Sequence, residues 1–417
     1  MPRLQVTNHL ARHPYKDTTM NPALESLHPY PFEKLAELKE GITPPAHLEH
    51  IPLSIGEPKH EPPAFVLETM RENLHALTQY PSTKGLPKLR ETIVQWANNR
   101  FHLSNNLNSD TQVLPVAGTR EALFAFTQAV IDRNQKAPKV LMPNPFYQIY
   151  EGAAFLAGAE PVFLNCTAQN GFLPDLDSVS PSTWQDCQLL FLCSPGNPTG
   201  AVMSQAYLAK ALALAQQYDF IIASDECYSE LYFDEQQPPT GLLQACIAQG
   251  NTEFKRAVVF HSLSKRSNLP GLRSGFVAGD AKVLAKFLKY RTYHGCALPV
   301  PTQLASMAAW QDEEHVKANR DLYRQKFQQV SHILNPVLPV TIPAASFYLW
   351  PQTPISDTQF AKHLFAQQNI TVLPGQYLAR QSANINPGQN YIRMALVAPL
   401  AQCIEAAQRI KQFMSDL

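Results

Sequence analysis

Short apolar runs alternate with segments of helical periodicity between about residues 112 and 293. The runs have the length and composition of buried strands, and they are Thr111–Val116, Lys139–Met142, Glu160–Leu164, Gln188–Cys193, Phe220–Ser224, Ala257–His261 and Gly275–Ala278. Helical patterns follow several of them, from Gly118 to about Ile131, over Ser204–Tyr218 and over Ala281–Tyr293. Strands that alternate with helices build parallel sheets whose faces the helices cover. The pattern predicts an α/β fold with a mostly parallel central sheet flanked by helices.

The pattern changes after Pro301. Helical periods run over Thr302–Trp310, Glu314–Leu334, Asp357–Gln368 and Gln402–Met414, and strand-like segments lie at Phe347–Trp350 and Tyr391–Leu396. This grouping is typical of an α+β unit. We therefore expect a large α/β domain at residues 51–300 and a smaller α+β domain at residues 301–417.

Residues 1–50 differ from both expected domains. They are interrupted by prolines and hold one short amphipathic stretch, Pro31–Lys39. Residues 1–19 lack the apolar segment of a secretory signal, so we interpret them as a loose extension. Helical periods resume at Glu61–Leu77 and Gly85–Phe101. We expect residues 1–50 to form an N-terminal arm that packs with the small domain.

Composition narrows the classes of function. The chain has 417 residues, of which 45% are hydrophobic, and its 34 basic residues balance 34 acidic ones. Proteins that bind nucleic acid through phosphate contacts normally carry a basic surplus or patch, and none is evident here. The seven cysteines form no C-x-x-C pair and no zinc spacing, so we expect reduced thiols, a cytoplasmic protein and no metal site. No apolar run approaches the ~18 residues of a membrane span.

Four segments with reactive or phosphate-binding residue types follow predicted strands, where ligands of open α/β sheets bind. They are Gly118-Thr119-Arg120, Ser194-Pro195-Gly196-Asn197-Pro198-Thr199-Gly200, Asp225-Glu226-Cys227-Tyr228, and Ser262-Leu263-Ser264-Lys265 with Gly271-Leu272-Arg273-Ser274-Gly275. A lysine among hydroxyls suits an amine nucleophile, while an arginine and a helix amino terminus suit phosphate. Each segment alone also fits a solvated loop, a tight turn or a helix cap.

Together the four segments resemble the class I/II aminotransferases, which are pyridoxal-phosphate enzymes of fold type I. The pattern S-x-S-K-x(5)-G-x-R-x-G is met at every fixed position between Ser262 and Gly275. The patterns N-P-x-G, which begins at Asn197, and D-x-x-Y, which begins at Asp225, precede it in the expected order. The resemblance covers about residues 50–415.

The resemblance implies pyridoxal 5'-phosphate as the cofactor and assigns it four central contacts. Lys265 is the amine that bonds to the cofactor and later moves the substrate proton. Asp225 lies against the pyridine nitrogen and keeps it protonated. Asn197 and Tyr228 donate hydrogen bonds to the ring oxygen.

The same resemblance implies the remaining cofactor contacts. Tyr147 stacks on the cofactor ring. The phosphate is held by backbone amides, a hydroxyl and a guanidinium, and these come from Gly118, Thr119, Arg120, Ser262 and Arg273.

Substrate and partner contacts are also implied by the resemblance. Arg393 binds the α-carboxylate of the substrate in a fork geometry, and Asn197 and the turn at Gly56 complete that end of the site. Tyr80 reaches the phosphate of the neighbouring subunit. The resemblance therefore predicts a homodimer with shared active sites that acts on amino acids and 2-oxo acids.

The distal end of the substrate is less well specified. Aspartate aminotransferases of this family carry an arginine near the segment that corresponds to Cys296–Gln303, and here this stretch has no basic residue. Lys84 and Arg266 are the basic candidates near the expected mouth. The segments Met20–Leu35 and Tyr80–Gly85 resemble the bacterial succinyldiaminopimelate transaminases of lysine biosynthesis. That resemblance implies amino transfer from N-succinyl-LL-2,6-diaminopimelate to 2-oxoglutarate.

Three alternatives stay open at this point. The first is another class I aminotransferase, for aspartate, aromatic or acetylornithine-type substrates. The second is a pyridoxal-phosphate carbon–sulfur β-lyase on the same scaffold. The third is a transcription regulator with a degenerate aminotransferase domain. Such a regulator would need an additional DNA-binding domain, and residues 1–50 are too short and too rich in proline to form one.

Overall fold

A seven-stranded sheet dominates the computed structural model, which describes residues 21–417. The predicted extension at residues 1–19 lies outside the described residues. The strands β1 to β12 are Ile51–Pro52, Val113–Val116, Lys139–Asn144, Glu160–Asn165, Cys187–Cys193, Ile221–Asp225, Ala257–Ser262, Gly275–Gly279, Tyr348–Leu349, Ile370–Thr371, Leu373–Pro374 and Ile392–Ala395. The helices α1 to α14 are Pro31–Leu38, Ala64–Glu72, Pro87–Phe101, Thr119–Val130, Ile149–Ala157, Pro181–Asp186, Gln205–Tyr218, Leu242–Ala248, Leu263–Arg266, Ala281–His294, Val300–Gln311, Glu314–Leu334, Asp357–Gln368 and Leu400–Ser415.

The strand order of this sheet is β2-β8-β7-β6-β5-β3-β4. Strand β8 runs antiparallel to both of its neighbours, and the other pairs are parallel. The central strand β5 reads CQLLFLC, and six of its seven residues are buried, as expected for a strand with helices on both faces. The predicted α/β fold with a mostly parallel sheet is confirmed.

Four short helices were not predicted, namely α5, α6, α8 and α9. Helix α5 is apolar around most of its circumference and contains Gly152, so it shows no amphipathic contrast and has a reduced helix propensity. Another difference lies at Glu61–Leu77, where α2 begins only at Ala64 and ends at Glu72. Pro62 and Pro63 delay its start because a proline sterically disfavours the helical conformation of the residue before it, which here is Glu61 and then Pro62.

The two faces of the large sheet are covered by separate apolar clusters. One cluster centres on Trp96, Trp310 and Phe276, between α3, α11 and the sheet. The other includes Tyr150, whose ring stacks on Phe191 at 4.4 Å between centroids. This packing fixes the strand ends, and therefore the loops that follow them, on a rigid base.

A second, three-stranded sheet of order β11-β12-β9 lies near the C-terminus and packs on α12, α13 and α14. Strand β1 pairs in parallel with β10, and Leu35 of α1 is buried against Leu373 and Leu378. Residues 31–52 therefore contact the C-terminal sheet, while the division into domains at 50 and 300 stays a prediction. Among residues 21–417, no helix is both long and apolar enough to cross a membrane.

Candidate active site

A cavity of about 470 Å³ opens at the edge of the large sheet where β2, β5, β6 and β7 end. Three of the predicted segments line it through residues that directly end or follow a strand: Asn197 after β5, Asp225 at the end of β6, and Ser262 at the end of β7. Thr119, the first residue of α4, and Arg273, just before β8, also line it. The sheet topology thus collects residues that are 154 positions apart between Thr119 and Arg273.

Lys265 projects into this cavity from the short helix α9. Its Nζ donates a hydrogen bond of 2.7 Å to the backbone oxygen of Gly56, and the Phe347 ring lies 5.3 Å away. It forms no salt bridge with any described carboxylate. Burial, assisted by the nearby charges of Arg393 and Arg273, lowers the pKa of Lys265 to about 8. About a tenth of this amine is therefore neutral and nucleophilic at pH 7, far more than of an ordinary lysine.

Asp225 lies at the floor of the cavity and is only 5% exposed. Its carboxylate accepts hydrogen bonds from the Tyr150 hydroxyl at 2.7 Å and from the backbone N–H of Cys227 at 3.3 Å. No lysine, arginine or histidine between residues 21 and 417 forms a salt bridge with it. Burial raises the pKa of Asp225 because its negative charge is poorly solvated. A cationic ligand bound in the cavity would stabilise that charge.

Arg393 approaches from β12 and is buried. Its Nη1 donates to Asn197 Oδ1 at 3.0 Å and its Nη2 donates to the backbone oxygen of Ser54 at 2.8 Å, while its Nε has no partner within residues 21–417. No described carboxylate pairs with it. An arginine that is buried with neutral partners and spare donor capacity is suited to bind a carboxylate ligand.

Two tyrosines stand beside this arginine. The Tyr348 ring lies 4.5 Å from the Arg393 guanidinium carbon, and its hydroxyl is 3.1 Å from that of Tyr228. Burial raises the pKa of Tyr228 well above its ordinary value, so this hydroxyl stays protonated and serves as a donor. An ideal Cβ on Gly56 would come within 2.0 Å of the Tyr348 hydroxyl, so the backbone closes on this ring only because residue 56 is glycine.

Another part of the cavity, formed by Arg273 and the start of α4, has the features of an anion site. Gly118 has φ +97°, and a Cβ added there would lie 2.2 Å from Arg273 Nη2, so the backbone closes tightly on that guanidinium. Thr119 opens α4, whose first N–H groups are unpaired within the helix. The Arg273 guanidinium donates to Glu121 Oε2 at 3.1 Å. Ser262 is adjacent, with its hydroxyl accepting from the backbone N–H of Ser264 at 3.1 Å.

Arg120 points away from this anion site and towards the mouth of the cavity. Its Nε donates to the Tyr147 hydroxyl at 2.8 Å, and its Nη2 donates to the Tyr30 hydroxyl at 3.2 Å. Neither partner is charged. The predicted role of Arg120 concerned its backbone amide, and the structure adds a side chain available to an anion at the entrance.

Three other residues singled out in the sequence lie outside this cavity. Tyr80 is 104% exposed, and Lys84 pairs with Asp110 at 3.6 Å. The suggestion that Arg266 reads the distal end of the substrate is wrong. Its side chain is 1% exposed and donates to the Ala309 backbone oxygen at 2.7 Å, because adjacent residues on α9 project in different directions.

Sequence reasoning missed several lining residues. They are Tyr30, Phe32, Ile55, Glu57, Cys227, Ser264 and Tyr348. Tyr30 and Phe32 belong to the N-terminal arm. The only signal for them in the sequence was that they are aromatic residues on either side of a proline. Tyr348 lies in the short apolar strand β9. The pattern of apolar residues alone predicts that such a side chain belongs to the core and not to a cavity.

Comparison with known proteins identifies the family. The model of the family described as aminotransferase class I and II matches residues 49–410. The chain belongs to this family. Its members use pyridoxal phosphate, as the sequence predicted. An aminotransferase of known structure from Neisseria meningitidis Z2491 is 48% identical to this chain, with a TM-score of 0.91 and coverage of 94% of this chain and 100% of that one.

Two further relatives carry more specific names. An LL-diaminopimelate aminotransferase of Nitratidesulfovibrio vulgaris (Hildenborough strain) is 30% identical over 393 residues, which cover 93% of this chain and 97% of that protein. A structure named as a probable N-succinyldiaminopimelate aminotransferase from Thermus thermophilus is 26% identical, with a TM-score of 0.78 and coverage of 92% of this chain and 99% of that one. This aminotransferase is therefore similar to proteins named for two related substrates.

The cavity of this aminotransferase fits pyridoxal phosphate on the contacts described above. Lys265 offers a neutral amine to an aldehyde, and Asp225 is a buried anion without a cationic side-chain partner. Arg273, the Gly118 backbone and the start of α4 form a site for phosphate. All three features belong to one cavity, as a ligand with an aldehyde, a ring nitrogen and a phosphate requires.

We expect the Lys265 amine of the cofactor-free protein to titrate near pH 8, below the ~10.4 of an ordinary lysine. Burial disfavours the ammonium form, so the reactive neutral amine forms at lower pH. The measurement is the rate at which fluorodinitrobenzene labels Lys265 at a series of pH values, quantified by peptide mass spectrometry with the exposed Lys286 as reference. A midpoint near the ordinary lysine value would contradict the role of burial.

Proposed function

We propose that this aminotransferase transfers the amino group of N-succinyl-LL-2,6-diaminopimelate to 2-oxoglutarate. In the net reaction the donor becomes a 2-oxo acid, and 2-oxoglutarate becomes glutamate. The observation that carries the proposal is the single cavity in which Lys265, Asp225 and Arg393 meet a cation at the entrance, Arg120. The first three serve any α-amino acid, and the fourth serves a substrate with an anionic distal end.

Pyridoxal phosphate supplies the electron sink for breaking the α-C–H bond when it is bound. The residues of this chain position the substrate and move its proton. Arg393 binds the α-carboxylate, which both amino donor and oxo acceptor carry, so it serves both halves of the cycle. The amine of Lys265 takes the α-proton and returns it, since its lowered pKa leaves it partly neutral near neutral pH. Asp225 stabilises positive charge at the floor of the cavity.

Arg120 supports an anionic distal group. Its partners Tyr30 and Tyr147 are neutral hydroxyls, so its charge is not already neutralised at those contacts. A carboxylate that reaches the mouth would make a charge-assisted hydrogen bond there. This contact takes the place of the arginine that the Cys296–Gln303 segment lacks.

The carboxylates of the cavity favour an acylated distal amine over a free one. The cavity contains three of them, Glu57, Glu121 and Asp225. Glu57 pairs with Lys59 at 2.5 Å, Glu121 pairs with Arg273 at 3.1 Å, and Asp225 lies on the buried floor. A free distal ammonium would find each of the two outer carboxylates already paired. The succinyl amide of the proposed donor removes that ammonium and adds a further carboxylate.

The second candidate donor is free LL-diaminopimelate. The relative from Nitratidesulfovibrio vulgaris is named for this compound, whereas the Thermus thermophilus structure is named for the N-succinyl derivative. Both compounds share the amino acid end that Arg393 would bind. They differ only at the distal nitrogen, so direct competition between them decides the assignment.

The aminotransferase assignment itself is tested at Lys265. Sodium borohydride should fix pyridoxal phosphate to the peptide that contains Lys265, as detected by mass spectrometry. Lys265→Ala should lose this adduct, the visible absorption of the bound cofactor and amino transfer, because no other amine replaces Nζ. Lys286→Ala is the control on an exposed lysine. An adduct on another lysine, or undiminished turnover in Lys265→Ala, would refute the assignment.

We expect Arg120→Ala to lower kcat/KM for N-succinyl-diaminopimelate by about 10- to 150-fold, which corresponds to the loss of a charge-assisted hydrogen bond of about 1.5–3 kcal/mol. Turnover of alanine, which has no distal group, should change little. The measurement is a panel that contains both diaminopimelate compounds, aspartate, an aromatic amino acid and acetylornithine. Arg133→Ala, at an exposed arginine far from the cavity, is the control.

The panel also distinguishes the alternatives. A higher kcat/KM for free LL-diaminopimelate would replace the succinylated donor and keep the aminotransferase. Preference for aspartate would overturn a long substrate altogether. Release of pyruvate, ammonia and thiol from cystathionine, without amino transfer, would indicate a β-lyase.

We further propose that the enzyme is a cytoplasmic homodimer in which Tyr80 completes the partner's phosphate site. Large apolar and aromatic side chains are exposed near one another in sequence, with Leu77 at 60% and Tyr80 at 104% exposure. Because the rest of its own chain covers none of the Tyr80 side chain, this tyrosine is free to contact a second subunit. The seven cysteines are all free thiols, which suits a reducing compartment.

Subunit mixing tests the shared site. Lys265→Ala and Tyr80→Ala homodimers should each be impaired, and random reassociation should restore activity to about a quarter of wild type, because half of the dimers are mixed and each has one intact site. Size-exclusion chromatography with light scattering reports the oligomer. No recovery from verified mixed dimers, or full activity of a monomer, would exclude the arrangement.

A further inference from the structure

A buried polar cluster lies behind Lys265, outside the cavity that holds its amine. It consists of His60, on the loop before α2, and Asn319 and Lys326, both on α12. Asn319 and Lys326 are each 2% exposed. Burying an amide and an amine is costly unless their hydrogen-bonding groups are satisfied, so the partners of these side chains are informative.

Asn319 binds the backbone that carries Lys265. Its Nδ2 donates to the backbone oxygens of Lys265 at 3.3 Å and of Arg266 at 3.5 Å. Its Oδ1 accepts from His60 Nδ1 at 2.7 Å and from Asn268 Nδ2 at 3.0 Å. The amide therefore links α12, the loop before α2 and the C-terminal end of α9.

Lys326 extends the chain of hydrogen bonds in one direction. Its Nζ lies 2.6 Å from His60 Nε2 and 3.3 Å from the backbone oxygen of Val397. An amine that donates to Nε2 leaves Nδ1 of a neutral imidazole to donate to Asn319. The order Lys326, His60, Asn319, Lys265 backbone is therefore a continuous series of donors and acceptors.

The groups around His60 keep its imidazole neutral. Burial and the nearby amine of Lys326 lower the pKa of His60 to about 4, although the hydrogen bond that His60 donates to Asn319 opposes this shift. Burial likewise lowers the pKa of Lys326 to about 8. The other titratable group packed on the ring is Tyr323, at 4.6 Å between centroids.

The loop of residues 54–60 makes hydrogen bonds at three positions, each with a residue of the active site or of the cluster behind it. The Ser54 oxygen accepts from Arg393, the Gly56 oxygen accepts from the Lys265 amine, and His60 binds Asn319 and Lys326. The Val397 oxygen that receives Lys326 follows β12, the strand that carries Arg393. The cluster thus joins the strand of the carboxylate-binding arginine to the backbone of the reactive lysine.

We propose that His60 and Asn319 are positioning residues for Lys265, which hold its backbone from α12 while the same loop holds its amine through Gly56. This inference rests on the proposed function only in taking Lys265 as the reactive amine. Without Asn319, two backbone oxygens of the α9 segment lose their donor, and the amine gains freedom to reach water.

The test measures the Lys265 amine directly in the cofactor-free protein. Asn319→Leu removes the amide at nearly constant volume, and His60→Phe keeps an aromatic ring against Tyr323 but removes both hydrogen bonds. We expect each variant to raise the labelling midpoint of Lys265 by about one pH unit towards that of an exposed lysine. Ser331→Ala is the matched control, since this buried residue of α12 has a hydroxyl without a partner within residues 21–417.

The loaded enzyme provides a second readout. A displaced amine should lower kcat by about 10- to 100-fold while KM changes little, because Arg393 still binds the substrate. His60→Gln, whose amide can donate to Asn319, should recover part of both effects. If Asn319→Leu does not fold, the comparison of His60→Phe with His60→Gln decides.

The outcomes separate this inference from the proposed function. Folded variants with an unchanged labelling midpoint and unchanged kcat would overturn the positioning role. A shift as large in Ser331→Ala would show a general effect of α12 packing and would overturn it as well. Failure of borohydride to fix the cofactor on wild-type Lys265 would refute the proposed function, whereas the labelling midpoint of the cofactor-free protein is independent of that result.

Discussion

Burying Lys265 and Asp225 in the same cavity without pairing them is the constraint on which the site depends. An amine and a carboxylate so placed would gain electrostatic energy from a direct salt bridge, yet each is held instead by neutral groups. Lys265 donates to a backbone oxygen, and Asp225 accepts from a hydroxyl and a backbone N–H. Both groups are therefore destabilised in their charged forms and are available to a ligand that supplies complementary chemistry.

The large sheet makes this separation possible. Asp225 ends β6, and Ser262 ends the neighbouring β7, with Lys265 following on α9. Rigid packing on both faces of the sheet prevents these side chains from moving together. The C-terminal sheet closes the cavity from the other side with Arg393 on β12. The loop of residues 54–60 connects the two parts, because two of its backbone oxygens accept from the carboxylate-binding arginine and from the reactive amine.

The sequence by itself determined the features that depend on local order. The period of apolar residues predicted the seven strands of the large sheet, two strands of the C-terminal sheet and most helices, but not the two-residue strands β1, β10 and β11. The S-x-S-K-x(5)-G-x-R-x-G pattern, which runs from the end of β7 to the start of β8, indicated the family. The same local information failed at α5, whose apolar surface lacks a polar face. It also placed the Arg266 side chain at the mouth of the cavity, because Arg266 follows Lys265 in sequence. The two side chains leave α9 in different directions, and that of Arg266 is buried.

Only the tertiary structure decided which distant residues meet. The contacts of Arg120 with Tyr30, of Gly56 with Lys265, and of His60 with Asn319 join positions separated by 90, 209 and 259 residues. Such pairs leave no periodic trace, since each depends on how separate elements pack rather than on their own propensities. The sequence therefore predicted the reactive amine, whereas the packing of separate elements decided which residues surround it and which residues form the entrance of the cavity.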